Sequence, residues 1–242
     1  MEINISPFNK KTSKKTQIKI MFNLISKIYD ILNRIITFGL DLRWRKNLVN
    51  KIKPQRPKII LDVATGTGDL AIELSKTNAE KIIGIDISDQ MIEIAKKKIR
   101  KKNLNSLIKI LKSNSENMNF KNNYFDMVTV SYGVRNFDNL NKGLSEIFRV
   151  LKPSGKIYIL ETSLPKSPIL LFFYKFYVRI ITSIIGILFS NYKLPYKYLL
   201  NSASIFPFGD DFNNILIKNG FINIKNESQI LGVSTIYFAN KP

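Results

Sequence analysis

The sequence predicts an α/β fold, a mostly parallel sheet with helices on both faces. Three observations lead there. Short, continuous apolar runs at 58–64, 81–86, 107–111, 125–131 and 156–161 have the pattern of strands buried on both sides rather than one. The segments between them, 69–76, 89–102 and 139–151, read as helices. The first run passes through a glycine turn directly into the next helix, as a nucleotide-type strand, turn and helix does. With 242 residues, 45% hydrophobic and 23% charged, the chain fits one domain with an elaboration, and disordered or collagen-like classes are excluded.

Taken in order, residues 1–19 read as a flexible basic arm, and 20–242 as a single domain. Within 21–36, Phe22, Ile25, Ile28, Tyr29, Leu32, Ile35 and Ile36 recur at helical spacing and begin a helical cover over 20–53, with a turn at Gly39. Pro54 and Pro57 separate this cover from the strand-and-helix core at 58–163. Ser88 and Asp89 favour a helix start. An apolar helical insertion follows at 166–205, then a helix at 210–219 closed by Gly220, then strands at 221–226 and 233–239. No internal repeat and no separate second domain is present.

The segment 169–189 has the length of a bilayer span. Its centre argues against one, because Lys175 and Arg179 would each cost about 2.5–3.5 kcal/mol there. They share a helix face with Thr182 and Ser183, leaving Leu170, Leu171, Phe173, Ile181, Ile184 and Ile185 for the others. An amphipathic cover or interfacial helix is expected. No secretory signal is visible, which makes the cytoplasm the expected compartment.

The absence of Cys and His excludes disulfides, thiolate nucleophiles, Ser-His-Asp triads and the usual zinc ligand sets, and no metal site is expected. The net charge of +20 usually points to nucleic acid or an anionic membrane. Lys outnumbers Arg 30 to 8, whereas a phosphate-reading surface favours Arg forks, and no RNA-binding module is present, so nucleic acid is not expected as a partner. The charge is concentrated at 1–60, where a solvated tail and a contact with anionic lipid both remain open.

The loop Asp62-Val63-Ala64-Thr65-Gly66-Thr67-Gly68-Asp69 carries the chemistry. Gly66 and Gly68 let the backbone approach a ligand, and the helix start beyond supplies amide donors. Asp86 ends the next strand about twenty residues on, where an acid takes the hydroxyls of a ribose. By spacing alone, Gly66, Gly68 and Ala71 also satisfy a dinucleotide fingerprint. Charge favours another ligand. Asp62 and Asp69 beside the turn would repel a pyrophosphate but attract the ammonium and sulfonium of S-adenosyl-L-methionine. Asn114-Ser115-Glu116 follows the third strand, where an adenine amine is read, and a hydride enzyme's Tyr-x-x-x-Lys occurs only at Tyr237 and Lys241, with no helix left to hold it.

Together these motifs resemble the quinone-biosynthesis C-methyltransferases of the UbiE/MenG type, within the class I S-adenosylmethionine methyltransferases. The likeness runs from about Phe22 to Val233. Its blocks are Tyr29-Asp30-Ile31-Leu32-Asn33 through Thr37 to Trp44, the cofactor loop from Asp62 to Leu70, Ser131-Tyr132-Gly133-Val134-Arg135-Asn136, and Arg149-Val150-Leu151-Lys152-Pro153-Ser154-Gly155 through Glu161-Thr162-Ser163. Asp41 stands where the family usually has His, the one departure with chemical weight; Leu32, Thr37, Thr65 and Ser154 also depart. The resemblance implies a Rossmann-like seven-stranded sheet whose last strand is antiparallel. It implies cofactor contacts at Thr67, Asp86, Asn114, Ser115 and Ser131. It also implies methylation of a ring carbon on a polyprenylated quinol, demethylmenaquinol first, with a ubiquinone-type benzoquinol as the alternative; the basic charge, apart from the resemblance, leaves an RNA methyltransferase as a more remote one.

For that chemistry Arg135 is the expected cation at the quinol oxygen, with Asn136 as its hydrogen-bonding neighbour. Asp30 and Asp69 are candidate bases, and Tyr29 a substrate-positioning ring. The helix at 169–189, with Phe172, Phe173 and Tyr177, is expected to join the N-terminal helix in a groove for the polyprenyl tail, and peripheral membrane contact follows from such a substrate.

Overall fold

A computed structural model describes residues 5–8, 11–188 and 192–242, excepting the side chains of 182 and 185–188. Its elements in chain order are α1 (Lys14–Thr37), α2 (Leu40–Ile52), β1 (Ile59–Val63), α3 (Asp69–Leu74), β2 (Lys81–Asp86), α4 (Asp89–Lys101), β3 (Ile108–Lys112), β4 (Phe125–Ser131), α5 (Leu140–Val150), β5 (Leu151–Thr162), α6 (Pro168–Leu188), α7 (Lys193–Ile205), α8 (Asp210–Lys218), β6 (Ile222–Ser228) and β7 (Ser234–Asn240). The strands form one sheet in the order β3-β2-β1-β4-β5-β7-β6. Pairing is parallel from β3 through β5, and β7 runs antiparallel to both β5 and β6, so the last strand is reversed as the resemblance implies. The order turns back between β1 and β4. In such sheets the crevice beyond the carboxyl ends of the strands is where ligands bind.

Alternation along the strands sends side chains to two apolar layers. Leu61, Val63, Val128 and Val130 face α5 and α8, where Leu144, Ile147, Phe212 and Leu216 close the layer. Ile60, Ile82 and Ile110 face α2, α3 and α4, meeting Trp44, Leu48, Leu74, Ile92 and Ile99. A third cluster joins α1 to α4, α6 and α7 through Ile18, Met21, Ile25, Met91, Ile181 and Tyr196. This cluster sets the cover over the carboxyl ends of the strands.

The flexible-arm expectation for 1–19 is corrected at its inner end, since α1 begins at Lys14. Ser13 caps it by accepting the Thr16 amide, and Ile18 continues the buried stripe of Met21 and Ile25. Gln17 is buried and donates to the Thr12 carbonyl at 2.8 Å. Residues 1–4 and 9–10, and Phe189 at the end of the apolar segment, lie outside the described residues, as do the side chains of Thr182 and Ile185. Lys175 and Arg179 are exposed on α6, and no described helix is long and apolar enough to cross a membrane. Between α1 and α2, Phe38 (φ 50°) and Gly39 (φ 73°) are both left-handed, which makes the turn sharp enough to fold the two helices together.

Candidate active site

The loop after β1 holds three left-handed residues, Ala64, Gly66 and Gly68. Gly68, at φ 81°, opens α3, and a Cβ there would stand 3.1 Å from that of Ala95, so α3 and α4 meet at glycine distance. A Cβ on Gly133 would come within 2.7 Å of the Ala64 Cβ, which brings the loops after β1 and β4 equally close. Between these loops and α1 lies a cavity of about 690 Å³. Gly66, Asp86, Asn114, Ser115, Ser131 and Asn136 line it, roofed by Ile18, Phe22 and Tyr29.

Asp86 accepts the Gly66 amide at 2.9 Å and the Ser88 amide at 2.8 Å, one on each oxygen. Burial raises its carboxyl above the ordinary range against the pull of these amides. Asn114 accepts the Glu116 amide at 3.1 Å, which fixes the turn after β3. The Ser131 hydroxyl is buried and has no partner among the described residues. An orphaned buried donor at a cavity wall is a place for a ligand atom.

Five of the expected site residues line neither this cavity nor the second one. Asp62 is 1% exposed beneath the loop, accepting the hydroxyls of Thr65 (2.6 Å) and Thr129 (2.9 Å). Burial pushes its carboxyl up to about 6. Gly68 serves the packing of α3 on α4. Thr67, Asp30 and Asp69 belong to a ladder of ion pairs on the outer side of the loop. Thr67 donates to Asp30 at 2.7 Å, Lys98 bridges Asp30 and Asp69, and Asp69 also meets Arg34. Burial would raise the Asp69 carboxyl, but Lys98, Arg45 and Arg34 hold it below the usual range. The expectation that Asp62 and Asp69 face a ligand is therefore corrected. Among the described residues, the acids at the cavity are Asp86, Glu116 and Asp138, against one cation, Lys15. Disfavour toward a pyrophosphate survives on different side chains.

A second cavity, about 1520 Å³, lies between α1, α2, α6 and α7. Its walls are mostly apolar and include Ile36, Phe173, Tyr177, Ile181 and Leu199; Phe172, expected in this groove, points away at 67% exposure. Tyr29 and Tyr132 line both cavities, so their rings mark where the two meet. Tyr132 holds a left-handed backbone (φ 57°) with its hydroxyl 3.0 Å from that of Ser234. Burial raises both phenols, which keeps them protonated at neutral pH.

Arg135 reaches this second cavity from the turn after β4. Its Nη1 donates to Glu161 at 2.6 Å and to the Tyr132 carbonyl at 2.9 Å. Glu161 is fully buried, and Arg135 Nε and Glu161 Oε2 have no partner among the described residues. Asn136 turns instead to the first cavity and accepts the Tyr198 hydroxyl at 3.3 Å. Asp41 lines the second cavity but lies between Arg34 and Arg45, with the Thr37 hydroxyl at 3.0 Å. Trp44, Arg45, Tyr132 and Tyr196 also line it, and the sequence reading assigns none of them to the site. Trp44 and Tyr132 fall inside the resembling blocks, but no local spacing marks any of the four as facing a cavity.

The chain matches the model of the ubiE/COQ5 methyltransferase family over residues 10–241. It is 36% identical over 238 residues to a demethylmenaquinone methyltransferase of Bacteroides fragilis, covering 98% of this chain and 97% of that one. It is 38% identical over 234 residues to a ubiquinone/menaquinone biosynthesis C-methyltransferase of Geotalea daltonii, covering 96% and 99%. Among solved structures, a methyltransferase of Thermotoga maritima described as a possible histamine N-methyltransferase superposes with a TM-score of 0.67 at 19% identity, covering 93% of this chain and all of that one, which shows the shared fold.

Proposed function

The chain belongs to the ubiE/COQ5 methyltransferase family and is an S-adenosylmethionine-dependent methyltransferase, and we propose that its acceptor is a ring carbon of a polyprenylated quinol, demethylmenaquinol first. The observation that carries this reading is the junction of the two cavities. An acid-lined cavity meets an apolar one at Tyr29 and Tyr132, and the apolar one contains a buried guanidinium.

S-adenosylmethionine fits the first cavity. Asp86 has lone pairs to spare for the ribose hydroxyls, Asn114 and Ser115 stand at the adenine side, and the orphaned Ser131 hydroxyl offers a hydrogen bond to the methionine part. Gly66 brings its backbone to the wall, while Asp62, Thr67 and Gly68 act one layer behind by shaping the loop. When bound, the cofactor supplies an electrophilic methyl group.

The rest falls to this chain's own side chains. A phenol of pKa about 10 is a poor carbon nucleophile until its hydroxyl proton leaves. The Arg135 guanidinium, held by Glu161 in a mostly apolar cavity, stabilises the oxygen that loses the proton and orients a water to receive it. Asp30 and Asp69 are held in ion pairs and line neither of these two cavities, so in this reading the proton acceptor is the water at Arg135 rather than either carboxylate. Tyr29 positions the ring at the junction.

The apolar cavity opens among Phe38 (80% exposed), Leu170, Phe173 and Leu231, apolar side chains of the kind a prenyl tail requires on its way out. The reading places the enzyme in the cytoplasm, in peripheral contact with the inner face of an anionic membrane from which the substrate is drawn. Purified protein incubated with labelled S-adenosylmethionine and demethylmenaquinol, beside the corresponding benzoquinol, tests the substrate. Label in the naphthoquinol product is expected, and exclusive labelling of the benzoquinol, or of neither, would overturn it.

A further inference from the structure

The apolar cavity holds more hydrogen-bond donors than Arg135 accounts for. Arg45, on α2, is 7% exposed and lines it. Its Nη1 donates to the carboxylate (2.6 Å) and the carbonyl (3.1 Å) of Asp41. Among the described residues its Nε and Nη2 make no hydrogen bond, and besides this cavity Arg45 borders a third, polar one beside Asp69 and Glu73. The guanidinium carbon stands 5.5 Å from the centroid of the Tyr132 ring, and that of Arg135 stands 6.0 Å from the same centroid. One aromatic wall, at the junction of the two cavities, therefore carries two buried cations. The neighbouring Trp44 adds an indole Nε1 that is buried and unpartnered among the described residues, with its ring 6.4 Å from Tyr132.

Arg135 Nε and Trp44 Nε1 are buried without acceptors, and with the unspent Arg45 donors beside them they call for a ligand that brings acceptor oxygens. Asp41 does not meet this need, because its carboxylate is shared between Arg34, Arg45 and Thr37. A 1,4-quinol carries its two oxygens at opposite ends of the ring. One cation reaches one oxygen; the other end then needs its own partner.

We propose that Arg45, backed by Asp41, holds the quinol oxygen opposite the one at Arg135, so that two guanidiniums read the two ends of a 1,4-diol. The assignment rests on the quinol reading above and makes Arg45 a specificity-determining residue. With Asp41 as fixed counter-ion the guanidinium is preorganised, and its remaining donors meet the oxygen without reorganisation.

Trp44 is the protein's single tryptophan and lines the cavity, so its fluorescence reports occupancy independently of turnover. Affinities are measured under reducing conditions for a short-chain 2-prenyl-1,4-naphthalenediol and for two monohydroxy analogues, each lacking one of the two oxygens. Wild type is expected to prefer the diol over both. Arg45→Met is expected to lose roughly tenfold to a hundredfold for the diol and for one analogue, while the analogue lacking the oxygen at Arg45 binds as in wild type. Arg135→Met should show the reverse pattern, and Arg45→Lys an intermediate loss confined to the same ligands. Calorimetry with S-adenosylmethionine checks that each variant retains the first cavity. If Arg45→Met does not fold, the Arg45→Lys pattern decides. Equal weakening of all three ligands, or none, would overturn the role of Arg45 alone. Failure of wild type to bind any of them would overturn it together with the quinol reading.

Discussion

Arg135 is fixed by Glu161 and by the Tyr132 carbonyl before any substrate arrives, and its Nε is left over. A preorganised donor of this kind acts where charge develops and contributes little to holding the cofactor. Arg135→Ala is therefore expected to lower turnover by about 10²–10³-fold while the affinity for S-adenosylmethionine changes by less than about threefold. Steady-state kinetics beside calorimetry separate the two, and a parallel loss would assign Arg135 to the cofactor cavity. Asp62 makes the opposite case. Its carboxyl is buried under the loop and shifted from 3.8 to about 6. Between those values the native protein keeps a proton that the unfolded chain has released, so this group's contribution to stability falls as pH rises through that window. At neutral pH the buried charge costs about 2–3 kcal/mol relative to a neutral side chain of the same shape. Asp62→Asn is expected to be more stable than wild type at pH 7 and to lose that advantage toward pH 4, as urea unfolding at several pH values would show; a pH-independent difference would contradict it. The contrast also marks the reach of sequence reading. Spacing shows that Asp62, Asp69 and Asp86 surround a glycine bend, but not which way each carboxylate points. Asp86 ends its strand at the cavity, Asp62 is clasped by Thr129 of the adjacent β4, and Asp69 turns outward from the first turn of α3.

At the level of elements, the cover is fastened to the core by alternating charges. Arg45, Asp41, Arg34, Asp69, Lys98 and Asp30 run from α2 through α1 and α3 to α4 and back to α1, ending on the Thr67 hydroxyl in the glycine loop. Asp69 is central, because its carboxylate joins Arg34 of the cover to Lys98 of the core. This carboxyl titrates below the ordinary carboxylate range, so its contribution is complete above that range and fades as pH falls through the lowered value. Asp69→Asn is expected to cost about 1–3 kcal/mol at neutral pH, since it leaves two partly buried cations short of a partner. The pH profile of turnover should not move, whereas a shifted acidic limb would return Asp69 to the role of base. Little of this ladder is legible in the sequence. The two carboxylate partners of Lys98 lie 29 and 68 positions away from it, and the turn at Phe38 and Gly39 brings α1 back over α2. The strands and helices of the core are legible to within a residue or two, because each is punctuated by its own local signals, except that β5 already begins at Leu151, five residues before the strand expected from 156.

For the whole molecule, the proposal that the quinol is drawn from a membrane is tested on the distribution of apolar and basic surface. On α6, Phe172 and Phe176 are 67% and 57% exposed, and neither lines the cavity. Exposed Lys166, Lys175, Arg179, Lys193 and Lys197 stand on α6 and α7 or just before them. Leu24, Ile31 and Ile35 along α1, with Phe38 at its end, add further exposed apolar surface, and Phe38 touches Tyr177 of α6 with ring centroids 5.7 Å apart. An exposed apolar area accompanied by cations, at the mouth of a cavity suited to a prenyl tail, has the chemistry that an anionic bilayer surface attracts. The protein is therefore expected to float with vesicles containing phosphatidylglycerol and to bind neutral vesicles more weakly, with the difference shrinking as salt is raised. Phe172→Ser together with Phe176→Ser removes two large apolar side chains that line neither cavity, the Phe172 ring meeting the wall only by its edge contact with Phe173. At about 1.5–3 kcal/mol for each ring that enters the lipid, the pair should weaken vesicle binding by at least tenfold. Affinity for S-adenosylmethionine and turnover of a short-chain, water-soluble quinol should stay as in wild type, because neither depends on reaching the membrane. Turnover of long-chain quinol presented in vesicles should fall in step with vesicle binding. Wild-type protein that fails to float with anionic vesicles, or a double variant that floats as well as wild type, would place the substrate's entry elsewhere on the molecule.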